Sequence, residues 1–141
     1  MGLTTVEKVI FLQEVDIFEL ISSENLALLA AITEELDAES GTVLFREGDV
    51  SDSMYIIVDG ELKITRDNAE VMRARYRDVV GTWALLDDRE RVVTATIVKD
   101  SHLLRIDRDD FVDVLADNVQ LTQGILKAIA GRLRSLMQRV G

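Results

Sequence analysis

The chain has 141 residues, 48% of them apolar, a single histidine, no cysteine and a formal net charge of −10. That is matter for one domain with a sufficient core, and it excludes disulfide scaffolds, thiolate metal sites, cysteine nucleophiles and multi-histidine metal cages. The acidic balance repels nucleic-acid phosphates and anionic lipid, no apolar run reaches bilayer length, and no signal-peptide pattern opens the chain; a cytoplasmic protein without membrane insertion is expected.

In chain order, Val6 and Ile10, then Leu26, Leu29, Ala30 and Ile32, recur at spacings of three and four, which predicts two short helices within about residues 4–32. Ser23 is the expected N-cap of the second, with Glu24 in its first turn. Between them Phe11, Leu12, Val15, Ile17, Phe18 and Leu20 are too apolar for a linker and should pack.

From about Glu35 the texture becomes β-rich runs between Gly, Asp and Asn turns: Thr42 to Phe45, Met54 to Val58, Glu61 to Thr65, Glu70 to Ala74, Val92 to Val98 and Leu103 to Ile106. Such spacing predicts an antiparallel sandwich or barrel over residues 33–107. Asp59-Gly60 and Asp67-Asn68 are expected hairpin turns, Gly48 a turn residue of positive φ, and His102 a turn residue without a role. Arg73, Arg75 and Arg77 share one face of an extended run, either as a basic patch or as charges on a solvated sheet edge. Asp49 and Asp52 suit Asx turns better than a cation site, and no metal is expected.

After Asp107 the helical period returns over residues 108–140. Ile125, Ile129, Leu133, Leu136 and Val140 form one apolar stripe on a long helix, either packed on its own barrel or paired with a second copy.

The segment Val80 to Val93 carries the chemistry. A helical turn opening at Gly81 leaves its first amides free, and Arg91 can add a guanidinium fork to the same spot, which makes an anion pocket for a phosphate-like ligand. If no anion binds, Asp87 or Asp88 is an expected partner for a buried Arg91. Trp83 is either a large core side chain, or one that caps or fills the pocket mouth, or one that contacts the C-terminal helix.

Helices, then a β-rich unit with Phe45-Arg46-Glu47-Gly48-Asp49 and Tyr55-Ile56-Ile57-Val58-Asp59-Gly60, then Gly81…Ala84-Leu85-Leu86…Arg91, resemble the cyclic nucleotide-binding domain family over roughly Phe11 to Val140. The resemblance implies one domain over residues 1–141: a mainly β jelly-roll (double-stranded β-helix) barrel of about eight strands, N-terminal helices and a long C-terminal helix. It also implies a phosphate-binding cassette within residues 80–93, and C-terminal helices that move or dimerise with ligand. The candidate ligand residues are Gly81, Thr82, Trp83, Ala84, Leu85, Arg91 and Val92. In the family pattern a Glu that accepts from the ribose hydroxyl stands where this chain has Thr82, and a Ser or Thr stands where it has Val92; Val80 and Glu90 replace a Phe and a Pro. Loss of a charged hydrogen bond at position 82 weakens binding by about ten- to a hundredfold.

The expected function is therefore a non-catalytic regulatory or sensor module with weak or absent cyclic-nucleotide binding and no cofactor. The alternatives are an authentic cAMP or cGMP sensor domain, or a ligand-free dimerisation scaffold. Expected partners are a small anionic ligand and a second copy or a larger parent protein, without nucleic acid. No nucleophile and base occur in a recognisable motif, so an enzyme is not expected.

Overall fold

The computed structural model describes residues 2–140, with side chains through residue 138. Helix α1 (Thr5–Leu12), a 3-10 turn (Asp16–Phe18) and α2 (Ser23–Ala30) precede strands β1 (Glu34–Ala38), β2 (Val43–Phe45), β3 (Ser53–Arg66), β4 (Ala69–Ala74) and β5 (Val79–Val80). A second 3-10 turn (Thr82–Leu85) leads to β6 (Thr94–Asp107), α3 (Arg108–Asp117) and α4 (Val119–Val140). The strands form one antiparallel 6-stranded sheet in the order β1-β6-β3-β4, with β2 on β6 and β5 on β3, rolled into the expected jelly-roll.

Two strands of 14 residues, β3 and β6, form its spine. Each joins two runs that the sequence pattern separates, which is why 6 strands stand where about eight were expected. Asp59-Gly60 is not a hairpin turn. It is a bulge inside β3, where the register against β6 shifts on both sides of Asp59. Gly60 has φ 109°, and a Cβ there would lie 2.7 Å from the Ser101 Cα, so close backbone approach requires the glycine. Asp67-Asn68 does make a turn, with φ of 52° and 66°, and joins β3 to β4 through the Arg66–Ala69 pair. Gly48 has the expected positive φ.

β1 was not foreseen because Glu34-Glu35-Leu36-Asp37-Ala38 has little β character; its pairing with β6 fixes it from outside. His102 lies in β6, opposite Asp37, and not in a turn. The N-cap of α2 is Ser22, one residue before the expected Ser23, its hydroxyl accepting from the Asn25 N–H at 3.2 Å.

β3 is buried on both faces at its start, so Met54 to Ile57 is a continuous apolar run. Met54 and Ile56 pack with Leu104 and Ile106 under the helices, against Leu12, Phe18, Leu26, Phe111 and Ile125. Tyr55, Ile57 and Leu103 face the roll interior with Phe45, Leu62, Ile64, Val80 and Ile97. Phe18 and Phe111 lie 6.0 Å apart between centroids, and full burial of a side chain of this size contributes about 1.5–3 kcal/mol. The stretch from Phe11 to Phe18 packs as expected, although Leu20 remains exposed.

The long helix behaves differently along its length. Leu121, Ile125 and Ala128 are buried and Ile129 is half-buried, whereas Leu133, Leu136 and Met137 are exposed. Arg132 reaches Asp16 and Glu19 at 3.4 and 3.3 Å. Of the predicted stripe, then, Ile125 belongs to the chain's own core, Leu133 and Leu136 are free to contact another surface, and the Val140 side chain lies outside the described residues. Among the described residues no helix is long and apolar enough to cross a membrane.

Candidate functional site

β5 pairs its Val79 and Val80 with Ile56 and Tyr55 and delivers the chain to Gly81 at the open end of the roll. Gly81 has φ 82°, and a Cβ there would lie 2.6 Å from Arg91 Nη1 and 3.0 Å from the Ser53 carbonyl oxygen. No other residue fits that conformation and that space together. The 3-10 turn that follows is anchored by buried Ala84 and Leu85. Leu85 enters the helix-side core and does not line the pocket, contrary to its place among the candidate ligand residues.

Arg91 is fixed at its backbone and at its head. Its N–H donates to the Asp49 carbonyl at 2.8 Å, and its carbonyl accepts from the Gly48 N–H at 2.9 Å. The side chain is buried, 7% exposed, with the guanidinium 4.1 Å from the Phe45 ring centroid. Nη2 donates to the Ser53 carbonyl oxygen at 2.7 Å and to Ser53 Oγ at 3.2 Å. Asp52, 3.9 Å away and largely exposed, is the carboxylate beside it; Asp87 and Asp88 do not pair with it, which corrects the expected internal partner. The Asp87 carboxylate instead accepts from the Arg89 N–H, and its backbone carbonyl is used by Arg108. Among the described residues, Nε of Arg91 has no hydrogen-bond partner. Desolvation by burial lowers the Arg91 pKa from its ordinary value, opposed by Tyr55 and Asp52. A guanidinium nonetheless keeps its charge in proteins.

Gly81, Thr82, Trp83, Ala84, Arg91 and Val92 all line one cavity of about 530 Å³, together with Phe45 and the outer residues of β4. Thr82 is half-buried, and Val92 is 66% exposed at the rim. Trp83 is also 66% exposed, which overturns its reading as a core residue. It forms a wall shared with a second groove, bounded by Ile17, Leu20, Leu133 and Leu136 of the body and α4.

Three residues that sequence reasoning did not reach complete the frame. Phe45 and Ser53 hold the Arg91 head from more than thirty positions away in sequence. Arg108, at the start of α3, donates through Nη1 to the carbonyls of Ser51 at 2.6 Å and Asp87 at 2.8 Å, with the Ala84 carbonyl at 3.5 Å. It therefore ties the cassette to the C-terminal helices. A basic residue opening a helix is unfavourable against the helix dipole, and that misfit was the available signal.

Elsewhere the singled-out charges pair among themselves. Glu61 takes Arg73 at 2.9 Å and Arg75 at 2.8 Å, while Arg77 lies 3.4 Å from Glu14; only Arg73 lies in the edge strand β4, Arg75 follows it and Arg77 has φ 73° in a turn, so the three do not share the face of an extended run. The Asp49 carboxylate accepts from the Arg46 N–H at 2.9 Å, three residues back, and Asp52 accepts from the Ser53 hydroxyl at 3.0 Å, so neither makes the expected Asx turn, whose donor lies two residues on. His102 sits between Asp37 (Nδ1, 2.6 Å) and Glu35 (Nε2, 2.8 Å), and Glu35 also accepts from the Leu3 N–H at 2.9 Å. Among the described residues no group of His, Asp or Glu could hold a metal ion.

This roll with an arginine under a glycine-initiated turn defines a class of ligand-responsive β-roll domains, and comparison with known proteins names it. Residues 35–118, more than half of the chain, match the family model described as cyclic nucleotide-binding domain. The chain belongs to that family. It is 28% identical over 123 residues to the CRP-like cAMP-activated global transcriptional regulator of Mycobacterium tuberculosis (strain CDC 1551 / Oshkosh), covering 84% of this chain and 55% of that protein. It is 32% identical over 113 residues to the cAMP-dependent protein kinase regulatory subunit of Dictyostelium discoideum, covering 74% of this chain and 33% of that protein. Among solved structures, the N-terminal domain of a transcriptional regulator from Streptomyces coelicolor A3(2) superposes with a TM-score of 0.84 at 26% identity, covering 89% of this chain and 94% of that one. The chain thus spans about half the length, or less, of the curated relatives it matches. It is a regulatory or sensor module of the kind found in such regulators.

Proposed function

We propose that this chain is a non-catalytic sensor domain that is governed by a small anion over Arg91 and binds cyclic nucleotides weakly or not at all. The observation that carries the proposal is the Arg91 environment: a buried cation held through Nη2 by Ser53 with Nη1 against Gly81, set beside a cavity whose neighbours at 82 and 92 are a short hydroxyl and an exposed valine. The cation supports an anion. The missing carboxylate and hydroxyl argue against firm retention of a ribose phosphate, because each lost charged hydrogen bond weakens binding by about tenfold or more.

Occupancy would be transmitted through Trp83 and Arg108, since the first borders both the cavity and the α4 groove and the second joins the cassette carbonyls to α3. The exposed half of α4, with Leu133 and Leu136, supports pairing with a second copy or with the rest of a larger protein. A cytoplasmic setting without nucleic-acid contact agrees with the net charge of −10.

Titration calorimetry with cAMP and cGMP tests this. The expected dissociation constants lie at about 0.1 mM or above, and a value below roughly 10 μM overturns the reading. It would select the second one, an authentic cAMP or cGMP sensor, which is favoured by Gly81, Ala84 and Arg91 standing at the family positions and by the relatives whose names include cAMP.

A further inference from the structure

We infer that the cavity over Arg91 takes an amphipathic monoanion, a single carboxylate-type head on an apolar aromatic or alkyl body without sugar hydroxyls; this rests on the anion-sensor reading above.

The lining gives the reason. Its one buried cation is Arg91, whose Nη2 carries the hydrogen bonds to Ser53 while Nη1 lies against Gly81 on the cavity wall. Asp87 and Glu90 lie on the same lining and disfavour a second negative charge on the ligand, while Arg89 beside them is exposed. One negative charge is what the site can offset.

The rest of the cavity asks for an apolar body. Val71 and Met72 of β4, Trp83 of the cassette and Val92 at the rim are all large apolar side chains left exposed to solvent around this one opening. Scattered exposed apolar residues need no explanation, but four converging on a single concave site mark a surface that is covered when occupied. The uncharged polar side chains on the lining are Ser51 and Thr82, one of them buried and the other half-buried. A ribose would bring its hydroxyl to position 82, where Thr82 offers one short hydroxyl in place of a carboxylate acceptor. A flat ring or alkyl chain loses nothing there.

Calorimetry on the full chain with 1-naphthoate, decanoate, neutral 1-naphthamide, inorganic phosphate and cAMP separates the alternatives. The expected result is one naphthoate or decanoate per chain, with the amide and inorganic phosphate each weaker by about tenfold or more and cAMP weaker than the better acid. Arg91→Gln should remove the preference for acid over amide. Should that variant fail to fold, Val92→Glu, at an exposed position, leaves the fold intact and should weaken both acids by about tenfold through like charge at the mouth. Equal binding of acid and amide overturns the inference, as does acid binding that neither substitution alters. If neither acid nor nucleotide binds, this inference falls while the weak-nucleotide reading stands; if cAMP alone binds below about 10 μM, both fall.

Discussion

Arg91 and Arg108 both reach the segment from Gly81 to Asp87, and the contrast between them separates ligand chemistry from scaffolding. Arg108 donates to the Ser51 carbonyl before β3 and to the Asp87 carbonyl just past the short helical turn, with Ala84 of that turn at longer range. Arg91 hydrogen-bonds Ser53 through Nη2, with the exposed Asp52 carboxylate at 3.9 Å, rests on the Phe45 ring and holds Nη1 against Gly81 on the cavity wall. One guanidinium is consumed by the fold. The other is held rigid with bonding capacity left over, as a preorganised anion receptor requires.

The largest way to break this contrast is at Gly81, where both the backbone and the Arg91 head leave no room. Gly81→Val combines a β-branched residue at φ 82° with overlap of Arg91 Nη1 and the Ser53 carbonyl, and it should cost roughly 3 kcal/mol or more, a fall in Tm of about 10 °C. A melt within about 2 °C of the parent would mean that Arg91 can move aside at little cost, and then it is not the rigid element described above. Next is Arg108→Ala, which strands the Ser51 and Asp87 carbonyls together and should cost about 2 kcal/mol. Arg91→Met should move stability by less than about 1 kcal/mol in either direction, because a flexible apolar chain over Phe45 replaces a desolvated charge, yet it should abolish anion binding. If the two arginine substitutions prove equally destabilising, the division of labour is wrong.

How much of this was legible followed distance along the chain. Gly81 and Arg91 lie ten positions apart, and a turn followed by a fork is a pattern that local chemistry fixes. Phe45 and Ser53 carry no such local mark, and Arg108 only its misfit at a helix start; they become a site only because β2, β3 and the end of β6 converge. The same limit explains Asp59-Gly60, whose composition is that of a hairpin turn and whose neighbour Ser101, 41 positions on, makes it a bulge. The size of Trp83 allows both a core position and a place at the pocket mouth, and its exposure depends on Ala84 and Leu85 taking the inward positions of a turn with 3-10 periodicity. The apolar stripe on α4 was read correctly as a stripe, but where the protein body stops beneath it is a tertiary fact.

A smaller effect should come from His102, which pairs with β1 and not with the cassette. A neutral imidazole has one N–H and cannot donate to both carboxylates that flank it at 2.6 and 2.8 Å; the imidazolium can. Its pKa is raised above 6.5 in the folded chain, chiefly by the Asp37 hydrogen bond and then by Glu35, against desolvation. A raised folded value means that the stabilisation is complete below the unfolded pKa and is lost as pH rises through the folded one. The parent should therefore melt at falling temperature as pH is raised from about 6 toward 8, and His102→Asn should flatten that slope. Glu35, whose pKa is lowered by His102 and by the Leu3 N–H, acts in the other window: its share is present above 4.5 and disappears in acid. An unchanged slope in the variant would assign the pH response to other groups.

The smallest effect on stability, and the sharpest test of assembly, is expected at Leu133. This residue is 57% exposed on the half of α4 that rises beyond the core, one wall of the groove shared with Trp83 and Leu136. Ile125, on the same stripe two turns earlier, is 3% exposed and committed to the interior, so a charge there would unfold the domain and report nothing about partners. Leu133→Asp removes an exposed apolar contact from the free chain and should shift Tm by less than about 0.5 kcal/mol equivalent. If α4 pairs with a second copy, the same change places two like charges near a two-fold axis, where isologous contact repeats every defect. Sedimentation velocity should then show a dimer in the parent and a monomer in the variant at matched concentration. A parent that is monomeric at about 100 μM would leave the exposed stripe to another part of a larger protein, and Trp83 would then report ligand to that partner and not to a twin.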